Sequence, residues 1–182
     1  MTLILGMVCN DGVVIAADSK LTPHGGGKAR YDYKKIHTVG NVIAIAFGGV
    51  GYFRSTASVL SNQARGLLRL NPNIPLDLVA TEMCKWCAKF LIEEGAYFTI
   101  LLADNKHIFY IQAQYRNGIP KAEFVNVPSA IAGIEEVNFP IYKGGETTKE
   151  YGDYFKQVIR LNKGLHVGGR TQIVVLKNNS ES

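Results

Sequence analysis

Thr2 is the residue with the most direct chemical potential in this chain. With Met1 removed, it would carry a hydroxyl and a free α-amine on one residue, and removal of an initiator methionine in the cytosol favours a small second residue such as Thr. An α-amine has a reference pKa of about 7.7–8, so a large fraction is neutral near pH 7 and can accept a proton. A side-chain ammonium, with a pKa above about 10, lacks that ability unless it is buried. The hydroxyl would therefore bring its own general base, one route to an activated nucleophile. Lys34 would depress the amine's pKa and favour the ionised hydroxyl through its positive charge. Asp18 would hold Lys34 charged and oriented, and the backbone N–H of Gly48 would bind the oxyanion of a tetrahedral intermediate. The alternative is that Asp18 and Lys34 form a structural ion pair and nothing more.

Other patterns carry less. Cys84-Lys85-Trp86-Cys87 has CxxC spacing, yet it sits inside a helical stripe with no second pair, which reads as core packing rather than zinc or redox chemistry. Gly25-Gly26-Gly27-Lys28 has the look of a phosphate loop, but Ala29 stands where Ser or Thr is needed and no helix follows. Basic and aromatic residues interleave through Lys28, Arg30, Tyr31, Tyr33, Lys34, Lys35 and His37, as in single-strand binders. Because much of that run falls in a hairpin arm, it reads as a solvated edge. His24, His107 and His166 have no metal-like spacing, so neither a metal nor another cofactor is implied.

The elements that must position these residues follow from the hydrophobic pattern. Residues 3–8 and 13–17 are apolar arms around Asn10-Asp11-Gly12, a turn signal. Both arms are apolar on both faces, as strands of a covered sheet are. Residues 35–39 and 42–46 flank Gly40-Asn41 as a second hairpin, which ends in Phe47-Gly48-Gly49. If the first hairpin turns on Asn10-Asp11, Thr2 lies opposite Ser19 and beside Asp18. If the second turns on Gly40-Asn41, Lys34 lies opposite Phe47 and next to Gly48. Helical stripes follow at Phe53, Ala57, Leu60, Ala64 and Leu67, and at Val79, Met83, Trp86 and Phe90. Strands are expected at 97–102, 108–113, 122–127 and 130–132. Thr147 with Glu150 fits a capping box for a helix carrying Tyr151, Phe155 and Val158 and ending at Gly164. A strand at 171–176 precedes a polar tail, 177–182, expected to fray.

Strands in hairpins with helices in a pair predict antiparallel sheets covered by helices, a layered α+β sandwich. At 182 residues, 47% hydrophobic and 19% charged, the chain fits one globular domain spanning 1–182 and not a disordered one. Twenty Lys+Arg against 15 Asp+Glu give a net charge of +5, too mild a bias to point to nucleic acid. Three cysteines are too few for a disulfide framework, and no apolar run reaches the roughly 20 residues of a membrane helix. The expectation is a soluble cytoplasmic protein with neither nucleic-acid nor membrane partners.

With these residues in view, the chain resembles the proteasome β-type family of N-terminal nucleophile hydrolases, which includes the bacterial ATP-dependent peptidase ring. The matching residues are Thr2 with Gly6, the block from Asp11 to Ser19, Lys34-Lys35-Ile36, Ala46-Phe47-Gly48-Gly49, and Gly168-Gly169 before the last strand. The offsets from Thr2 to Asp18, Lys34 and Gly48 agree with the family's nucleophile, carboxylate, lysine and oxyanion glycine. The resemblance implies a four-layer αββα sandwich of two antiparallel sheets and threonine-type peptide hydrolysis. It also implies a closed homo-oligomeric ring, peptide or unfolded-protein substrates and an ATPase unfoldase as partner. Carried over by position, the substrate pocket is Leu21, Asp32, Ala46 and Val50, with Ala46 leaving the floor open and Asp32 favouring basic side chains. The chain departs from the family at Ile134, where a Ser is usual, and at Gly164 and Val167, where an Asp and a Ser are usual. Those departures keep two alternatives open: a catalytically silent ring subunit, and a transpeptidase or amidase using the same nucleophile.

Overall fold

Strands that are apolar on both faces have to be covered on both sides, and in the computed structural model they are. It describes residues 2–22, 27–40, 42–50, 53–91, 97–133, 136–164 and 167–178. The elements run β1 (Ile4–Cys9), β2 (Gly12–Ala17), β3 (Ile36–Val39), β4 (Ile43–Val50), α1 (Phe53–Leu70) and α2 (Leu76–Phe90). They continue with β5 (Tyr97–Ala103), β6 (Ile108–Arg116), β7 (Ile119–Val127), β8 (Ser129–Ala132), α3 (Thr148–Leu161) and β9 (Gln172–Lys177). One sheet has the order β8-β1-β2-β9 and the other β3-β4-β5-β6-β7, with every pairing antiparallel.

Three apolar layers hold the sandwich together. Val14, Leu5 and Ala16 of the four-stranded sheet pack against Phe155, Val158 and Ile159 of α3. Ile4, Val13 and Ile15 meet Ala44, Ala46, Leu101 and Ile108 between the two sheets. Ile45, Ile100 and Ile111 on the far face of the five-stranded sheet pack against Leu60, Val79, Met83 and Cys87 of α1 and α2. The layers are thus α3, sheet, sheet, then α1 with α2: the expected αββα sandwich. Among the described residues no helix is long and apolar enough to cross a membrane.

The first hairpin has the expected register, with Ile4 opposite Ala17. The second is displaced by one residue. Ile36 faces Ala46 and Val39 faces Ile43, so residues 40–42 make the connection, with Gly40 at φ 60°. The connection is one residue longer than the two-residue turn assumed from Gly40-Asn41. The Phe47-Gly48-Gly49 segment, expected to end the hairpin, lies inside β4, which runs on to Val50. The capping box of α3 is present: the Glu150 backbone N–H donates to Thr147 Oγ1, and the Thr147 N–H donates to the Glu150 carboxylate. That helix stops at Leu161, three residues before the expected Gly164, with Asn162 as its C-cap. Lys177 and Asn178 do not fray. Lys177 closes β9 and pairs with Asp11, and the Asn178 N–H donates to the Asp11 carbonyl. Residues 179–182 lie outside the described residues.

Candidate active site

The two hairpins deliver their polar groups to the same end of the sandwich. Thr2 precedes β1 and Asp18 follows β2, so the first hairpin sets them side by side. The Leu3 N–H donates to Asp18 Oδ1 at 2.9 Å, and the Asp18 N–H donates to the Leu3 carbonyl at 3.2 Å. The second hairpin delivers Lys35, whose Nζ donates to the same Oδ1 at 2.6 Å; both side chains are fully buried. The other carboxylate oxygen accepts the Lys20 and Gly168 backbone N–H groups, each at 3.0 Å. A buried carboxylate needs partners of this kind to offset its desolvation.

This corrects the expectation for Lys34. Lys34 is exposed and Lys35 is the lysine at Asp18. The cause is the extra residue in the 40–42 connection, because neighbouring side chains in extended chain point to opposite sides and a one-residue slip exchanges them. Burial pushes the Lys35 ammonium below its ordinary value, opposed by the Asp18 carboxylate and aided by the positive charge of Lys20. A lysine in that condition sheds a proton more readily than one in water.

Thr2 is 6% exposed and packs between two glycines. A Cβ built on Gly48 would stand 3.8 Å from Thr2 Cβ and 3.7 Å from Thr2 Cγ2, so the inner face of Gly48 is the wall beside the hydroxyl-bearing carbon. A Cβ on Gly133, whose φ is 112°, would stand 1.5 Å from the Thr2 carbonyl oxygen, so only glycine lets the end of β8 close over Thr2. The direction of the backbone N–H groups along β4 also matters. Phe47 donates to the Lys35 carbonyl at 3.0 Å on the β3 side. Alternation along an antiparallel strand then turns the Gly48 N–H toward its partner Thr99 on β5, and the Gly49 N–H back toward the β3 side, past the end of that strand. The donor suited to an oxyanion on that edge is Gly49, again one position from the expected Gly48.

The expected pocket shifts the same way. Leu21 is half-buried and packs with Tyr33 against the cluster that contains Phe47. Ala46 faces the sealed space between the sheets and cannot line an open pocket; its neighbour Phe47 faces the Leu21 side. Asp32 is exposed and joined to Arg30 at 3.3 Å. The Val50 side chain lies outside the described residues, as do Ile134, His24 and His166. At the remaining departures, the Gly164 carbonyl accepts Lys20 Nζ at 2.9 Å and Val167 is buried.

Sequence reasoning missed Gln172. Its Oε1 accepts the Lys35 and Ile36 N–H groups at 3.0 and 3.3 Å, and its Nε2 donates to the Tyr33 carbonyl at 2.7 Å, so β9 fixes the backbone that carries the lysine. The signal was present: an amide opening an otherwise apolar strand.

The cysteine pair belongs to the core. Cys87 is fully buried, and burial pushes its thiol up to about 12 and that of Cys84 to about 11, far from a reactive thiolate. Among the described residues no group of three or more His, Cys, Asp or Glu side chains could hold a metal ion.

Over residues 2–113 the chain matches the family described as "Proteasome subunit". Comparison with curated proteins gives no match.

Proposed function

The chain belongs to the proteasome subunit family, and from that premise we propose that it is a threonine-type peptidase with Thr2 as nucleophile once Met1 has been removed. The observation that carries this reading is the sharing of one carboxylate oxygen. Asp18 Oδ1 holds both the peptide that follows Thr2 and the buried Lys35 ammonium. Thr2 Oγ attacks the substrate carbonyl carbon while its own α-amine takes the hydroxyl proton through a water molecule. Lys35 lowers the pKa of that amine by its charge, and the Gly49 N–H stabilises the oxyanion. Collapse of the tetrahedral intermediate breaks the C–N bond, and the departing amine takes the proton back. The ester left on Thr2 is then cleaved by a water molecule that the same α-amine deprotonates. Peptide or unfolded-protein substrates, a ring of identical copies, an ATPase unfoldase and a cytoplasmic setting belong to the same proposal.

The test is sequencing of the mature N-terminus together with an electrophilic peptide probe. The expected result is a chain that begins at Thr2, is labelled on that residue, and loses labelling in Thr2→Ala. A chain that retains Met1, or a Thr2→Ala variant labelled as well as the wild type, overturns the proposal. One observation favours a second reading, a silent ring subunit. Gly164 and Val167 supply neither a carboxylate nor a hydroxyl where the resembled family has both. That reading predicts a ring-sized particle that no probe labels.

A further inference from the structure

β7 is the outermost strand of the five-stranded sheet, and among the described residues no strand lies beside its far edge. Its residues are exposed except for Ala122 and Val127, which are half-buried. The turn before it fixes which groups that edge presents. Asn117 and Gly118, at φ 52° and 74°, make a two-residue turn closed by Arg116 and Ile119. Such a turn directs the Ile119 N–H inward to the Arg116 carbonyl, so alternation sends the backbone groups of Pro120, Ala122, Phe124 and Asn126 outward. Pro120 suits an outward position, where the sheet needs no N–H from it. Side chains alternate as well. Ile119, Lys121, Glu123 and Val125 share the face toward the other sheet, while Pro120, Ala122 and Phe124 share the face toward α2. Outward from Ala122, the strand is complementary to itself: Lys121 on one side matches Glu123 on the other, Pro120 matches Phe124, and Ile119 matches Val125.

We propose that the β7 edge is the contact surface for a second copy of this chain, the two strands running antiparallel across a two-fold axis at Ala122. Each Ala122 N–H donates to the partner's Ala122 carbonyl, and each Phe124 N–H donates to the partner's Pro120 carbonyl. Lys121 lies opposite the partner's Glu123, Ile119 opposite the partner's Val125, and Phe124 opposite the partner's Pro120. The charges select this register. A ladder forms only where outward-facing residues stand opposite one another, so the axis must pass through a residue and not between two. An axis at Lys121 or Glu123 sets like charge against like, and one at Phe124 sets both charges against valines. Only the axis at Ala122 sets opposite charges together, which favours cross-strand pairing where like charges oppose it. Edge charges and an edge proline ordinarily keep strands apart; here they exclude the other central registers and leave this one. A two-fold contact is self-complementary and joins copies in pairs, so it cannot close a ring by itself but doubles whatever ring other surfaces make. The proposal does not depend on the chemistry of Thr2.

The experiment is sedimentation of the full-length protein over a range of concentrations. Lys121→Glu and Glu123→Lys each set like charges face to face at both symmetry-related positions. Each should raise the dissociation constant of the paired copies about tenfold, so that a half-mass species dominates where the wild type is paired. Both side chains are exposed, so the unfolding midpoints should stay where they are. The double variant Lys121→Glu/Glu123→Lys restores opposite charges in the same register and should pair as the wild type does. Ala122→Pro removes the central N–H donors from an outward edge position and should also leave the half-mass species. Single variants that pair like the wild type overturn the proposal. A charge-swapped double variant that stays at half mass overturns it too, because the charges then act outside this register. A wild type that sediments as one chain at every concentration assigns the edge to an extended segment of some other protein and overturns it as well. None of these outcomes bears on the peptidase reading, which labelling of Thr2 tests separately.

Discussion

Asp11 and Asp18 stand at the two ends of β2, and each accepts backbone N–H groups together with a lysine ammonium. Asp11 accepts the Thr148 N–H at 2.7 Å and its hydroxyl at 3.0 Å, and pairs with Lys177. That pair is open to water, with 33% of the Asp11 side chain and 60% of the Lys177 side chain exposed. It pins the start of α3 and the end of β9 to the first hairpin, where a negative charge also suits the helix N-terminus. The Asp18–Lys35 pair is sealed. Exposed ion pairs contribute about 0–1 kcal/mol, whereas taking two charges out of water costs several kcal/mol per ion before their attraction repays it. The outer pair is explained by anchoring alone. The inner pair is a poor way to gain stability; its cost is met by the Leu3, Lys20 and Gly168 N–H groups on the carboxylate, and the first of these belongs to the peptide that follows Thr2.

The sharpest way to break this contrast is Lys35→Met, which leaves the Asp18 carboxylate buried without its cation. It should cost about 3–5 kcal/mol in denaturant unfolding and abolish probe labelling, while Lys34→Ala next door leaves both within error. Equal effects at 34 and 35 would contradict the observed register. Gly133→Ala comes next. Its methyl group must displace the Thr2 carbonyl, so labelling should slow about a hundredfold, with strain of about 1–3 kcal/mol appearing as a lowered unfolding midpoint. The outer pair gives the smallest effect. Asp11→Asn should cost about 1 kcal/mol at neutral pH.

Its pH dependence has a definite sign. Lys177 first, and the Thr148 bonds after it, pull the Asp11 carboxyl from its ordinary value down to about 2. A folded-state value below the unfolded one gives stability that is complete above pH of about 4 and lost as pH falls toward about 2. Acid unfolding curves of the wild type and Asp11→Asn should therefore separate above that window and converge below it. Curves that stay parallel throughout would remove the ion pair as the cause.

The first hairpin was legible in the sequence to the residue, because Asn10-Asp11-Gly12 leaves little freedom and both arms are uniformly apolar. Thr2 and Asp18 followed from it. The second hairpin was legible only as a hairpin. Gly40-Asn41 suits a two-residue or a three-residue connection, and alternation of side chains turns that single ambiguity into three displaced assignments: Lys35 for Lys34, Gly49 for Gly48 and Phe47 for Ala46. The αββα layering was reachable because periodicity separates strands from helices. Gln172 and Gly133 were not, since they act across the stacking of strands distant in sequence, and spacing within a hairpin carries no information about that.

The four donors to Asp18 come from Leu3, Lys20, Lys35 and Gly168, the last of them 150 positions away. Until β9 docks along β2, the first hairpin also presents a raw edge, and the peptide carrying Lys35 lacks the amide that fixes it. The centre is thus assembled from stretches far apart in the sequence. A chain that stopped short of position 172 would hold Thr2, Asp18 and Lys35 but lack the amide that fixes the lysine's backbone, so the last strand of the four-stranded sheet completes the site.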